Sequence, residues 1–276
     1  MKVFLADSGY IWYFHWFIYM LSRFLMYNYE NDPEIIYTYL PDDENSYHYE
    51  SLKYMFPTSI IKNVNKENNL KIETINNFIG HSTQLIENAP ENEGILDIHK
   101  LCKQIDNDLY DYSTPDLLPS YKYFNFIRTK FINYSEDVNL DYVFISRKLS
   151  YVNRSNKNER HIKNEDDLMK ALEQFGFKYI LLEEFTLKQK IGLFKNAKII
   201  ISPWGAALTN CCFSSEKTII IQLDPCHNFT SLVHYKHICK LFNIPHYIIS
   251  DSYNVDNDCN YDVNINSIVN FIKSLL

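Results

Sequence analysis

Glycine is scarce: there are 6 in 276 residues, and none of them forms the Gly-x-Gly-x-x-Gly turn that seats a dinucleotide pyrophosphate after a strand. That absence argues against a dinucleotide-dependent oxidoreductase. Positive charge is also short, with 27 Lys and Arg against 34 Asp and Glu, a formal net charge of -7 and a pI near 5.7. A nucleic-acid binder normally presents a basic face, so nucleic acid is not expected as a partner. The six cysteines, at 102, 211, 212, 226, 239 and 259, include no Cys-x-x-Cys pair and lie mostly among apolar residues. They read as buried free thiols, and nothing in their spacing resembles a zinc site. No internal repeat or low-complexity tract is evident. The apolar, aromatic run Tyr10 to Tyr27 approaches the ~20 residues that span a bilayer. His15, Ser22 and Arg23 interrupt it, Asp7 comes early, and no small-residue cleavage site follows. Neither a membrane anchor nor a cleavable leader is expected, and the cytoplasm is the default compartment.

What is present points to a globular α/β protein. Hydrophobic residues make up 46% of the chain, enough for one large or two small cores. The abundance of Asn, Ile, Lys and Tyr looks like nucleotide bias in the coding sequence. The Asn-x-Ser/Thr sites at Asn133, Asn153 and Asn228 are accordingly read as chance matches.

From Asp141 onward, strand and helix patterns alternate. Strands are expected at Asp141 to Ser146, Lys178 to Leu182, Lys198 to Ser202, Thr218 to Leu223 and His246 to Ser250. Helices are expected at Asn164 to Phe175, Thr186 to Asn196, Ser231 to Phe242 and from Asn264. This is the pattern of a doubly wound domain. The first half is less regular, with strands at Lys2 to Leu5, Glu34 to Tyr39 and Ser59 to Val64 around the long helix at Tyr10. Pro115 and Pro119 mark a connection into a helix at Tyr121 to Phe131. The expected organisation is an N-terminal α/β domain over residues 1–118 and a Rossmann-like domain over 119–276, facing one another across a cleft.

Two features of the second half carry chemistry. The first is the segment Ala197 to Asn210, an Ile-rich strand running into Pro203, Trp204, Gly205, Ala206 and Ala207, with Thr209 and Asn210 one turn later. Small residues at the carboxyl end of a parallel strand let an anion approach the free amides of a following helix. The same residues also suit a tight strand-to-helix connection with no ligand at all. The second is a basic island, residues 147–163. Arg147, Lys148, Arg154, Lys157, Arg160 and Lys163 stand there against Glu159 alone, a formal charge of +5 in a chain of -7. Lys148, Lys157 and Lys163 read as solvated. Arg147 leaves a strand and Arg160 enters a helix capped by Asn164-Glu165-Asp166, which suits both to gripping a diphosphate. A structural pair of Arg160 with Glu165 is the alternative.

Together these residues resemble glycosyltransferase family 61, which includes plant β-1,2-xylosyltransferases and O-linked N-acetylglucosaminyltransferases of the secretory pathway. Tyr13-Phe-His-Trp16 with Arg23 is similar to the family's Asn-Tyr-Tyr-His-Trp helix and its later Pro-Arg. Ile145-Ser-Arg147 and Arg160-His-Ile-Lys-Asn-Glu165 resemble its I-S-R and R-x-I-x-N-E block. Glu184 to Gln189 and Leu193 to Ala197 resemble its next helix, and Gly205-Ala-Ala-Leu-Thr-Asn210 its Gly-Ala turn, with Gln222 to Pro225 closing the following strand.

The resemblance implies a GT-B architecture with a reduced N-terminal domain, and an inverting transferase that needs no metal and no cofactor. The donor would be a nucleotide sugar, UDP-linked, and the acceptor a glycan or glycoprotein. Arg147, Arg160, Trp204, Gly205, Ala206, Thr209 and Asn210 are the candidate donor-binding residues. Glu184 is a candidate for ribose or base, or else a surface carboxylate. His15 is the candidate catalytic base, or else a packed structural histidine, since an imidazole titrates near neutral pH. The Asp-Asn-Asp runs at 106 and 256 are not assigned to a metal. Two positions depart from the family: Trp204 stands where it usually has His, and Gln222 where it usually has Glu. An indole offers one N–H donor and a stacking face in place of a titrating group. These departures motivate the alternative of a noncatalytic relative that binds a nucleotide or glycan.

Overall fold

The computed structural model describes residues 2–5, 13, 16–17, 21, 34–63, 66, 71–76, 82–87, 110–111, 118–148, 160–225 and 232–276. They fall into two compact units, Met1–Lys130 and Phe131–Leu276, so the division lies inside the helix at Tyr121–Phe131.

In the first unit, strands β1 (Lys2–Leu5), β2 (Ile35–Thr38) and β3 (Ile60–Asn63) pair in parallel in that order, with Lys2 opposite Ile35 and Ile35 opposite Ile60. Helix α1 (Tyr47–Met55) makes the crossover from β2 to β3, the connection that parallel neighbours require. Its Leu52 and Met55 are buried, as are Trp16, Phe17 and Leu21. The Trp16 indole N–H donates to Ser51 Oγ at 2.9 Å, and Ser51 Oγ donates to the His48 carbonyl at 3.0 Å. Trp16 and Leu21 are fully buried, so these members of the aromatic run face inward; the rest of the expected helix at Tyr10, His15 included, lies outside the described residues. No described helix is long and apolar enough to cross a membrane. Two antiparallel pairs lie outside the strands expected from sequence: β4 (Lys71–Asn76) with β5 (Ser82–Glu87), and β6 (Tyr110–Asp111) with β7 (Leu118–Pro119). Helix α2 (Tyr121–Phe131) buries Tyr123, Phe124, Ile127 and Phe131, one apolar stripe, and the Tyr123 hydroxyl donates to the Phe17 carbonyl.

The second unit is a mixed α/β domain with a central parallel sheet. Its strands are β8 (Tyr142–Ser146), β9 (Lys178–Leu181), β10 (Ile199–Pro203), β11 (Ile219–Leu223) and β12 (His246–Ile249). They lie in the order β12-β11-β10-β8-β9. All four pairings are parallel. Every residue of β10 is buried, as expected of a central strand covered on both faces.

One face, carrying Phe144, Ile199, Ile201, Ile221 and Leu223, packs against helices α3 (Glu165–Glu173) and α6 (Ile265–Leu275) through Leu168, Leu172, Ile268 and Ile272. Helices α4 (Leu187–Asn196) and α5 (Leu232–Leu241) both pack against a 3-10 helix at Ala206–Phe213. Local chemistry sets the helix starts. Thr186 and Gln189 form a capping box at 3.3 and 3.0 Å, and the Asn264 side chain accepts from the Ser267 N–H at 3.2 Å. After β8 the chain steps outward to β9, then returns to the opposite side of β8 for β10. The strand order therefore reverses between β8 and β10, which opens a crevice at their carboxyl ends.

Candidate active site

The residues leaving β8 and β10 meet at that reversal. Trp204 follows Pro203, and its N–H donates to the Leu223 carbonyl at 2.9 Å, which ties the turn to the end of β11. Strand β10 ends at Pro203, one residue beyond its expected end at Ser202; the proline asks nothing of the ladder because it has no N–H to donate. The chain then enters the 3-10 helix at Ala206–Phe213.

Gly205 owes its identity to Arg147. A Cβ on Gly205 would overlap Arg147 Nη1 and stand 2.9 Å from Cζ, so a side chain there would displace the guanidinium from this position. Arg147 Nη1 reaches the Trp204 carbonyl at 3.4 Å. The sequence alone suggests that the small residue leaves room for a phosphate; the group that closes on it here is an arginine. With φ 166 and ψ 176 the glycine is simply extended.

Arg160 approaches from the other direction, its guanidinium carbon 4.0 Å from the centre of the Trp204 indole, within cation–π range. Its backbone is left-handed, φ 51, which costs a non-glycine residue about 1–2 kcal/mol. The segment around it over-determines that conformation. The Arg160 N–H donates to Asp258 O at 3.4 Å, His161 N–H to Asn260 Oδ1 at 3.1 Å and Lys163 N–H to Tyr261 O at 2.8 Å. The Asn164 side chain then both donates to and accepts from the Val263 backbone at 2.9 and 3.0 Å. Backbone strain that the surrounding structure holds in place clusters at functional sites.

Two buried phenols lie within the electrostatic reach of both arginines. Burial pushes the hydroxyls of Tyr235 (α5) and Tyr261 well above the usual tyrosine range, and the positive charges of Arg147 and Arg160 pull both back. The Tyr261 hydroxyl also donates to the Leu223 carbonyl at 3.1 Å, the same carbonyl that receives the Trp204 N–H. Asp224, at the end of β11, is 1% exposed. Gln222, opposite Ser202 in the ladder, is fully buried with neither side-chain nitrogen nor oxygen hydrogen-bonded.

The structure therefore brings together Arg147, Arg160, Trp204 and Gly205. Ala206, Thr209 and Asn210 follow on the 3-10 helix; Thr209 faces Tyr235, and the Asn210 amide donates to Ala207 O at 2.9 Å. Glu184 is exposed on a one-turn 3-10 helix, Leu182–Glu184, after the edge strand β9. Lys148 pairs with Asp166, and Lys163 reaches the Asn254 carbonyl. Arg154 and Lys157 lie outside the described residues, as do Cys102, Cys226 and the Asp-Asn-Asp run at 106. Of the run at 256, Asp256 Oδ1 accepts from the Asp258 and Asn260 N–H groups, both at 2.9 Å, and so serves its own loop. Among the described residues no three His, Cys, Asp or Glu side chains converge as a metal ion would need.

By sequence Glu165 belongs to a helix cap, with Arg160 as a possible partner. It is 1% exposed, and its Oε1 accepts from the Ser146 hydroxyl at 2.7 Å and the Tyr179 hydroxyl at 3.2 Å. Burial raises its carboxyl above the ordinary carboxylate range, against the opposing pull of those two hydrogen bonds and of Lys148. Tyr235 and Tyr261 had no sequence signal: one lies in an ordinary amphipathic helix, the other in an Asn- and Asp-rich stretch.

An open parallel sheet with two arginines and a tight turn at its reversal point is an α/β domain of the kind that binds ligands beyond its strand ends. The model of the glycosyltransferase 61 family matches residues 13–221, about three-quarters of the chain. The chain belongs to glycosyltransferase family 61, and membership implies glycosyltransferase activity. No curated protein matches it. The matched span runs from the buried aromatic segment of the first unit through both arginines and the Gly205 turn into β11.

Proposed function

We propose that this protein is an inverting, metal-independent transferase of GT-B type that moves a sugar from a UDP-linked donor to a glycan or protein acceptor. The observation that carries the reading is the pair of guanidiniums, Arg147 and Arg160, flanking Trp204 and Gly205 at the switch point of the sheet. In the reaction the acceptor oxygen attacks the anomeric carbon, and the bond from that carbon to the diphosphate oxygen breaks. UDP leaves with the electron pair and two negative charges near the break. Fixed cations there stabilise charge that grows only as the bond cleaves. Arginine supplies forked donors for two phosphate oxygens without a pKa that could fail near neutrality. The acceptor proton goes to a base, for which the sequence offers His15, outside the described residues.

Calorimetric titration with UDP and GDP, followed by turnover assays with a panel of UDP- and GDP-sugars, tests the proposal. UDP binding weakened by Arg147→Ala and Arg160→Ala, together with sugar transfer, is the expected result. Binding without transfer would favour the noncatalytic relative; neither binding nor transfer would remove the proposal.

A further inference from the structure

We infer that Glu165 is a positioning residue for Arg147, acting through the Ser146 hydroxyl. The inference rests on the donor-phosphate reading of Arg147 and adds how that side chain is held.

Arg147 is the first residue beyond β8, where a chain leaving a sheet normally gains freedom. Here both of its neighbours are fixed. Ser146 donates its hydroxyl to Glu165 Oε1 at 2.7 Å, and the same Ser146 oxygen accepts the Lys148 N–H at 3.0 Å. The Tyr179 hydroxyl, 2.8 Å from Ser146 Oγ and 3.2 Å from Glu165 Oε1, fills the remaining approach. The Lys148 ammonium is paired with Asp166, the next residue of α3. The first turn of α3 therefore grips the chain before and after Arg147. A hydroxyl that donates in one direction and accepts in the other has one hydrogen-bonding orientation, so the carboxylate sets where the Lys148 amide points. It thereby sets the path on which the Arg147 guanidinium comes to lie on Gly205. Glu165 and Ser146 are 1% and 2% exposed, so water does not compete for the relay.

Two measurements on the full chain decide the matter. The first is amide hydrogen exchange at Lys148 without nucleotide. Ser146→Ala and Glu165→Ala should each speed it about tenfold or more. Glu165→Gln, which keeps a carbonyl oxygen at the same place, should stay near wild type. The second is UDP affinity in a double-mutant cycle. Glu165→Ala should weaken UDP about tenfold alone but add little on top of Arg147→Ala, because the two act through one group. Unchanged exchange in both alanine variants, or equal affinity losses with and without Arg147, would overturn the inference. Should Glu165→Ala fail to fold, Ser146→Ala removes a single oxygen and carries both readouts. Should wild type bind no UDP, the donor reading falls, and the exchange measurement alone still judges the clamp.

Discussion

Arg160 stacks on the indole of Trp204 with 4.0 Å between guanidinium carbon and ring centre, at the point where the strand order of the second unit reverses. An indole there does not exchange protons, but it gives a guanidinium a flat, polarisable seat. The tryptophan that departs from the family pattern thus holds one of the two cations on which donor binding is proposed to depend.

Replacing that seat should cost affinity more than fold. A cation–π contact of this geometry contributes about 0.5–2 kcal/mol, so Trp204→Leu is expected to weaken UDP binding by roughly 2- to 30-fold, while Trp204→Phe retains most of it. Calorimetry on the two variants checks this; equal losses would detach the ring face from the effect.

Gly205→Ala separates backbone strain from side-chain clash. The glycine is extended, so alanine meets no conformational penalty, and the clash falls on the movable end of Arg147. The variant should keep a melting temperature within a few degrees of wild type and lose UDP affinity to about the level of Arg147→Ala. An alanine variant that binds UDP normally would show that the Arg147 seat on the turn is dispensable.

Gln222 buries an amide with no hydrogen-bond partner for either end. A buried unpaired polar group costs about 1–3 kcal/mol, so Gln222→Leu is expected to stabilise the protein, with a rise of a few degrees in thermal melting. A fall in melting temperature would mean that the amide is satisfied in solution.

His246, in the edge strand β12, has neither ring nitrogen hydrogen-bonded, and burial, aided by Lys236, lowers its pKa from 6.5 to about 4. The folded state thus prefers the neutral ring, while the unfolded chain takes up a proton below 6.5. This contribution is complete above pH 6.5 and shrinks as pH falls toward 4, with a loss of about 2 kcal/mol by pH 5. His246→Leu should flatten that part of the stability curve between pH 7 and 5. Parallel curves for wild type and variant would refute it.

The second half was legible because its signals are local. The Ile-rich runs of β10 and β11, the capping box at Thr186 and the side-chain cap at Asn264 each act within a few residues, and each element lies within two residues of its expected ends. The antiparallel pairs of the first unit carried weaker signals. The strand at Lys71–Asn76 lies in an Asn- and Lys-rich stretch where composition hides the alternation.

The sequence by itself determined the α/β class, the family motifs and the candidacy of Arg147, Arg160 and Gly205, because residue type and spacing suffice for those. Only the tertiary structure decided what each candidate touches. That the small residue at 205 seats an arginine, that Arg160 rests on Trp204, and that Glu165 reaches Ser146 and Tyr179 all depend on side chains from different strands and helices. The reversal of strand order between β8 and β10 carries Arg147 and Gly205, 58 positions apart in the chain, to one carboxyl edge. Such contacts are fixed by packing across the sheet, and no local pattern encodes them.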